Sequence, residues 1–189
     1  IKQANTITYN PVIYELSKEN KELIPKTIKH IFIISDRRER IETLRKIAKA
    51  VNSDKTMIFI NTKYDLEESL QKLQYHNYNV AALAGNIDKQ SKKKAVEDFQ
   101  NGRLQYLLAT DVAARGLQID HVSTVINVNL PEEPTEYLHR AGRCGRNNEQ
   151  GLCISIITEN ELNKIKKYQK AFNINIVQKR LYNGKIVSK

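Results

Sequence analysis

Short apolar runs rich in β-branched residues alternate along the chain with longer segments of helical period, and this alternation constrains the fold more than any other feature. From Ile28 onward the apolar runs occupy residues 31–34, 57–60, 80–83, 104–109, 122–128 and 152–157. Within each run the apolar character is continuous, which is typical of strands covered on both faces. The pattern predicts an α/β fold made of βα units, with a parallel sheet and helices on both faces.

The segments between these runs predict amphipathic helices. The first has its apolar residues on one helical face at Ile41, Leu44, Ile47, Ala48 and Val51, and Asp36 with Glu39 resembles a capping box at its start. Further helices are predicted after Thr62 (Leu66, Leu70, Leu73), around Ala95, Val96 and Phe99, and after Thr158 and Glu161 (Leu162, Ile165, Phe172). Residues 174–187 suggest one more strand or a hairpin around Asn183-Gly184.

Residues 1–26 break this rhythm. They contain Asn10-Pro11, a charged polar run at residues 17–22 and Pro25. Such composition is typical of a connecting segment, and we interpret it as a linker or the tail of a preceding domain, with a single domain over residues 27–189. Because the sequence begins at Ile1, we expect a fragment of a longer protein.

The net charge of the chain is +10, from 31 Lys and Arg against 21 Asp and Glu. An excess of positive charge favours a polyanionic partner such as nucleic acid. The lysines are spread along the chain, however, so a solvated basic surface explains the charge equally well. Charge alone therefore leaves both interpretations open.

Neither a secreted nor a metal-binding protein is expected. The N-terminus carries no apolar signal-peptide core, and no stretch reaches the roughly 18 consecutive apolar residues of a membrane span. We therefore expect a cytoplasmic protein with no membrane partner. Cys144 and Cys153 form no C-x-x-C pair and have no His at zinc spacing, so we predict neither a disulfide framework nor a metal site.

Three loops are expected at the edge of the sheet where parallel strands end and ligands gather. They are Asn61-Thr62, Ala84-Gly85-Asn86 and residues 110–116 (TDVAARG). Each combines small or hydroxyl residues with backbone N–H groups at the start of a predicted helix, which suits phosphate oxygens. Taken singly, each loop is more often a helix cap than a ligand site.

Residues 139–146 (HRAGRCGR) are the sharpest local feature. Arg140, Arg143 and Arg146 recur at a spacing of three, with Gly142 and Gly145 between them. A basic last turn complements the helix dipole, which explains one or two arginines but not three with interleaved glycines. Glycines let the backbone come close to a partner, and each guanidinium binds a phosphate in a fork. We therefore favour a phosphate-binding function.

Three segments taken together resemble motifs IV, V and VI of the DEAD-box RNA helicases, in the order and spacing of that family. They are residues 57–62 (MIFINT), 109–116 (ATDVAARG) and 139–146 (HRAGRCGR). Residues 125–131 (VINVNLP) resemble the strand that precedes motif VI, so the resemblance covers about residues 28–172. Residues 36–40 and 168–172 look similar to bacterial members.

The resemblance implies a RecA-like domain that closes on an N-terminal RecA-like domain of the same chain when ATP and RNA bind. It implies that Arg143 and Arg146 are arginine fingers on the γ-phosphate, and that His139 and Arg140 couple the ATP site to RNA. The implied RNA-binding residues are Thr62, Gly85, Lys92, Thr110, Asp111, Arg115 and Gly116. The expected target is the shape of the RNA backbone, not its base sequence.

The sequence departs from the family pattern at three places. Gln118 stands where the family usually has the Asp that holds the ribose of the nucleotide, with Asp120 as a second candidate for that contact. Ala84-Gly85-Asn86 replaces His-Gly-Asp, and Lys89 and Lys92 replace the two ends of Gln-x-x-Arg. A lysine keeps the charge but loses the fork, so these changes bear on the strength of ATP and RNA binding.

The sequence contains no G-x-x-x-x-G-K-S/T phosphate loop and no Asp-Glu-Ala-Asp segment. We therefore expect the second motor domain of an ATP-dependent RNA helicase, which uses ATP with Mg²⁺ only in the longer protein. The isolated chain is expected to be monomeric and inactive, with no tightly bound cofactor. The alternative is a non-catalytic RecA-like module that binds RNA or protein, and a DNA translocase of the same superfamily is less favoured.

Overall fold

One sheet of eight strands runs through the part of the chain that the computed structural model describes, which is residues 25–84, 87–117, 119, 121–145 and 149–188. The strands are β1 (Ile28–Ile34), β2 (Thr56–Phe59), β3 (Val80–Leu83), β4 (Tyr106–Ala109), β5 (Thr124–Asn127), β6 (Gly151–Ile157), β7 (Ile176–Tyr182) and β8 (Lys185–Ser188). Their order across the sheet is β3-β4-β2-β5-β6-β1-β7-β8. Neighbouring strands are parallel except β7 and β8. The predicted α/β fold with a mainly parallel sheet is confirmed.

Helices connect the strands and cover both faces of the sheet. They are α1 (Arg40–Val51), α2 (Lys63–Tyr75), α3 (Lys89–Gln100), the single turn α4 (Asp111–Ala114), α5 (Pro134–Ala141) and α6 (Leu162–Phe172), with short 3₁₀ turns at Arg37–Glu39 and Glu159–Glu161. Helices α1 and α2 pack on one face, and α3, α5 and α6 pack on the other. No helix of the described residues is long and apolar enough to cross a membrane.

The central strands are buried on both faces, which explains their continuous apolar sequence. Met57 and Ile58 are adjacent and both fully buried, yet they belong to different core clusters. Successive side chains of a strand point to opposite faces, so Met57 belongs to the core cluster that contains Phe99 of α3, and Ile58 to the one that contains Leu44 of α1. Each buried side chain of this size contributes about 1.5–3 kcal/mol to folding.

The two predicted helix starts at Thr158 and Asp36 differ in the structure. The backbone N–H of Thr158 donates to Oε2 of Glu161 at 2.9 Å, and these residues form a capping box at the predicted helix start. The capping box predicted at Asp36 and Glu39 is wrong, because the Asp36 side chain makes no cap hydrogen bond. The backbone carbonyl of Asp36 accepts the Glu39 N–H at 2.9 Å instead, so a 3₁₀ turn forms there and α1 begins only at Arg40.

The chain ends in the predicted hairpin. Strands β7 and β8 pair antiparallel, with Leu181 opposite Ile186 and Tyr182 opposite Lys185. Asn183 and Gly184 form the turn with φ of 46° and 72°, a left-handed conformation that Asn-Gly adopts readily in two-residue hairpins. Because β7 is parallel to β1, the turn lies at the edge where the other parallel strands also end.

Candidate functional site

The loops after β2, β4 and β5 meet at one edge because these strands are neighbours in the order β4-β2-β5. Two predicted phosphate contacts begin helices there. Oγ1 of Thr62 accepts from the Asp65 N–H at 3.1 Å, and Oγ1 of Thr110 accepts from the Ala113 N–H at 3.3 Å. Both hydroxyls are thus helix caps in this structure. Thr62 is exposed and Thr110 half-buried.

Arg140 is the centre of a buried polar network at this edge. It lies in the last turn of α5 and is only 1% exposed. Its Nε and Nη2 atoms donate to the two carboxylate oxygens of Asp111 at 2.7 and 2.5 Å. Nη1 donates to the Asn129 carbonyl at 2.7 Å, and Nη2 to Oδ1 of Asn61 at 2.9 Å. One guanidinium therefore binds the loops after β2, β4 and β5 at the same time.

Sequence reasoning did not identify the amides that complete this network. Asn127 is fully buried at the end of β5, where its Oδ1 accepts from Nη1 of Arg140 at 3.4 Å and its Nδ2 donates to Oγ of Ser155 at 3.3 Å. The signal was present in the sequence. An amide inside the apolar run VINV must find hydrogen-bond partners if the strand is buried, and a nearby arginine is a suitable donor.

Arg143 lies one turn further along the chain in a different environment. Its Nη1 donates to the Leu117 carbonyl at 2.6 Å, and its Nη2 lies 3.4 Å from the Ala114 carbonyl. These contacts hold the guanidinium against the loop that follows β4. A cleft of about 250 Å³ opens beside it, lined by Phe59, Asp111, Ala114, Arg115, Gly116, Glu136, His139, Arg140 and Arg143. The structure thus brings the predicted segments 109–116 and 139–143 to one cleft.

Comparison with known proteins gives the family. The helicase conserved C-terminal domain matches residues 39–148, more than half of the chain. The DEAD-box ATP-dependent RNA helicase CshC of Bacillus cereus is 32% identical over 185 residues, which make up 97% of this chain and 46% of that relative. The chain is a helicase C-terminal domain of the DEAD-box family.

Solved structures agree with this assignment of the helicase C-terminal domain. Saccharomyces cerevisiae Dbp5 bound to RNA and ADP BeF3 matches with a TM-score of 0.82 at 28% identity, over 95% of this chain and 48% of that one. The C-terminal domain of the DEAD-box protein Dbp5 matches with a TM-score of 0.77 at 29% identity, over 82% of this chain and 91% of that one. The fold is RecA-like, as the sequence predicted.

The helicase C-terminal domain spans about half the length of the relatives it matches, or less. It covers 46% of CshC and 31% of the ATP-dependent RNA helicase DBP3 of Saccharomyces cerevisiae, which is 35% identical over 163 residues. The family match over residues 39–148 contains all three segments that resemble motifs IV, V and VI, and the predicted membership of the DEAD-box family is confirmed.

The glycines of motif VI are explained by the domain's own packing. Gly145 has a φ of +67°, and a Cβ there would lie 2.5 Å from Cγ1 of Ile28 on β1. Its carbonyl accepts from Oγ1 of Thr27 at 3.1 Å. A Cβ on Gly142 would lie 3.1 Å from the Leu138 carbonyl. The backbone of Gly145 thus comes close to β1 of the same domain, so packing within the domain already requires glycine at this position.

The remaining predicted site residues of the helicase C-terminal domain differ in solvent exposure. His139, Arg115 and Gly116 are exposed around the cleft, and Lys92 is half-buried on α3. Gly116 has a φ of +73° with no atom within 4 Å of an added Cβ, so its backbone conformation alone favours glycine. Four predicted site residues lie outside the described residues, namely Gly85, Gln118, Asp120 and Arg146.

A second buried polar contact supports the helix that carries Arg140. Nδ1 of His30 on β1 lies 2.9 Å from the hydroxyl of Tyr137 on α5, and burial lowers the pKa of His30 to about 4. The imidazole is therefore neutral at pH 7 and accepts or donates according to its tautomer.

The two cysteines lie next to this contact, and both are free and buried. Burial raises the pKa of Cys144 well above its usual range and that of Cys153 to about 11. Both side chains are therefore neutral thiols at pH 7, and they act as small apolar residues of the core.

Proposed function

We propose that this domain is the second motor domain of an ATP-dependent RNA helicase, covering residues 27–189, with residues 1–26 as the connection from an N-terminal RecA-like domain of the same chain. The observation that carries the proposal is the Arg140 network. It fixes motifs IV, V and VI to one another, so that a shift in the position of one motif changes the positions of the others. Such fixed geometry is what positioning of a phosphoryl group requires.

In this proposal Arg143 and Arg146 contact the γ-phosphate of an ATP held mainly by the N-terminal domain. A guanidinium is always charged and binds phosphate oxygens in a fork, so it stabilises the charge that develops during phosphoryl transfer. Arg143 is supported by its place in the cleft, beside the backbone of motif V. His139, exposed at the same cleft, and Arg140, through Asp111, carry the coupling between ATP and RNA.

Magnesium is assigned to ATP and the N-terminal domain. The described residues contain no group of three or more His, Cys, Asp or Glu that would hold a metal ion, and both carboxylate oxygens of Asp111 bind Arg140. These residues do not fit a metal site. Gln118 or Asp120 is proposed to hold the ribose.

The proposed RNA surface follows the same sheet edge. Arg115 and Lys92 supply charge, while Thr62, Gly85, Thr110 and Gly116 supply small or hydroxyl positions for backbone phosphates. Asp111 acts by positioning motif V through Arg140, because a carboxylate repels phosphate. We propose that the longer protein works in the cytoplasm. The isolated domain is proposed to be a monomer.

The experiment that tests this function uses the purified 189-residue chain. We expect weak binding of a labelled single-stranded RNA in fluorescence anisotropy, and no ATP turnover above background with or without RNA. Arg115→Ser should weaken binding and make the slope of log K against log salt shallower by about 0.7, the value for one phosphate contact on a single strand. The exposed Lys166→Ser is the matched control and should change little.

RNA-stimulated turnover by the purified chain would contradict the half-motor proposal. RNA binding by the longer protein with no ATP turnover would instead favour a non-catalytic binding module.

A further inference from the structure

The hairpin formed by β7 and β8 carries a concentration of positive charge. Residues 176–188 include Lys179, Arg180 and Lys185 and no Asp or Glu. The family match ends at residue 148, so the hairpin lies outside the region that contains motifs IV, V and VI. Its charge is therefore unexplained by the proposed motor function.

The two faces of the hairpin differ in character. Leu181 and Ile186 are opposite each other and pack against the core cluster that contains α1. Side chains alternate along a strand, so Arg180, Tyr182 and Lys185 lie on the opposite face, and all three are exposed. The Tyr182 residue is 59% exposed, and Cζ of Arg180 lies 5.6 Å from its ring centre. An open aromatic ring thus lies between two cations.

The exposed face of the hairpin lies near the same sheet edge as the candidate site. The Asn183-Gly184 turn lies at the same sheet edge as the loops after β2 and β4, and β7 is five strands away from β4 in the sheet order. At a strand spacing of about 4.8 Å this separates it from motif V by roughly 24 Å. Between them, the loop after β1 carries Asp36 and Glu39 beside Arg37 and Arg38. The loops after β5 and β6 carry glutamates, of which Glu132, Glu133 and Glu161 pair with Lys164, Lys167 and Arg40. The hairpin adds positive charge at the far end of this edge.

We propose that the exposed face of Arg180, Tyr182 and Lys185 is a second contact for single-stranded RNA. The two cations bind backbone phosphates, and the Tyr182 ring stacks on a base. Alternating cations and aromatic rings suit single strands, because every base has a flat face while phosphates supply the charge. The inference rests on the proposed function, since a strand held at motif V would continue along the sheet edge to the hairpin.

The stacking contact can be measured directly because the chain contains no tryptophan. Tyr182→Trp introduces a single fluorophore at the proposed contact, and we expect its emission to be quenched when RNA is added. Tyr75→Trp is the matched control, since Tyr75 is 83% exposed at the end of α2, away from the proposed surface. No quenching in Tyr182→Trp, or equal quenching in both variants, would overturn the stacking contact.

The phosphate contacts are tested by charge removal. The double variant Arg180→Ser/Lys185→Ser should make the slope of log K against log salt shallower by about 1.4, the value for two phosphates on a single strand. The double variant Lys166→Ser/Lys170→Ser removes two exposed charges from α6 and should leave the slope nearly unchanged. Tyr182→Ala should weaken binding roughly fivefold or more, and Tyr182→Phe should restore it.

The outcomes separate this inference from the function on which it rests. If Arg115→Ser weakens RNA binding while the hairpin variants bind as the wild type does, the hairpin contact is wrong and the motor proposal stands. If neither this chain nor the longer protein binds RNA, both are wrong.

Discussion

Arg140 and Arg143 are three residues apart in the same motif, but their side chains lie in different environments. Arg140 is 1% exposed and its guanidinium is surrounded by Asp111, Asn61, Asn127 and the Asn129 carbonyl. Arg143 is half-buried at a cleft and donates to backbone carbonyls of the neighbouring loop. The first arginine joins loops within the domain, and the second is placed where a phosphate can approach.

The difference shows that one short motif contains both a buried arginine that joins loops and an arginine that lines an open cleft. A buried ion pair contributes little net stability, but removal of one partner leaves a costly unpaired charge. Loss of Arg140 should therefore weaken the contacts among all three loops at once. In the proposed function Arg143 acts only when a second domain brings ATP, so its loss should lower the rate of ATP hydrolysis and not the stability of the fold.

The largest expected effect is catalytic. In the longer protein, Arg143→Ala should lower RNA-stimulated ATP hydrolysis by about 10³ to 10⁵, because an arginine finger stabilises charge formed only in the transition state. Arg146→Ala should do the same. RNA binding without nucleotide should stay near the wild-type value. Wild-type turnover in either variant would remove that arginine from the proposed site, and the exposed Lys166→Ala controls for simple loss of charge.

The next effect is on stability. Arg140→Ala in this chain should reduce the free energy of unfolding by about 3–5 kcal/mol, because the carboxylate of Asp111 and the buried amide of Asn127 lose their donor. Denaturant unfolding followed by circular dichroism measures this. In a cycle with Asp111→Ala, the two losses should not add, because both variants break the same pair. Additive losses would mean that the ion pair does not connect motifs V and VI.

The free energy of unfolding should also depend on pH, through the buried His30 that contacts the motif VI helix. Burial lowers the pKa of His30 from 6.5 to about 4, so the unfolded chain takes up a proton there before the folded one does. The stability is fully present above pH 6.5 and is lost as the pH falls toward 4, by at most about 3 kcal/mol. His30→Gln should flatten this part of the stability profile, whereas the exposed His139→Gln should not. An unchanged profile in His30→Gln would contradict the neutral buried imidazole.

The smallest expected change concerns residue 118. Gln118→Asp in the longer protein should lower the Michaelis constant for ATP a few-fold, because a charge-assisted hydrogen bond to a ribose hydroxyl is roughly twice as strong as a neutral one. RNA affinity should change little. ATP titrations of Gln118→Asp and Asp120→Ala decide the assignment. No change in the first variant and a large loss in the second would place the ribose contact at Asp120.

Much of the fold could be predicted from local sequence. The apolar runs marked six strands because buried parallel strands are apolar on both faces, and Asn183-Gly184 marked the hairpin turn. The capping box predicted at Asp36 is absent because the Asp36 side chain makes no cap hydrogen bond, and the Glu39 N–H donates to the Asp36 backbone carbonyl. Caps depend on one or two bonds, so local patterns predict them less well than they predict strands.

The different environments of Arg140 and Arg143 in motif VI could not be predicted in the same way. The spacing of the arginines is regular, and nothing in it distinguishes Arg140 from Arg143. The distinction comes from Asn61 and Asp111, which are far from Arg140 in sequence and meet it only because β2 and β4 are neighbours. Gly145 is similar, since its close neighbour is Ile28 at the start of the domain.

The most direct test of this difference is the unfolding free energy of Arg143→Ala in the 189-residue chain. We predict a value within about 1 kcal/mol of the wild type with the same denaturant dependence, because the carbonyls that Arg143 contacts can be solvated when it is removed. A loss of about 3 kcal/mol or more, comparable to that of Arg140→Ala, would contradict the account. Both arginines would then be structural, and any loss of ATP hydrolysis would follow from a damaged fold.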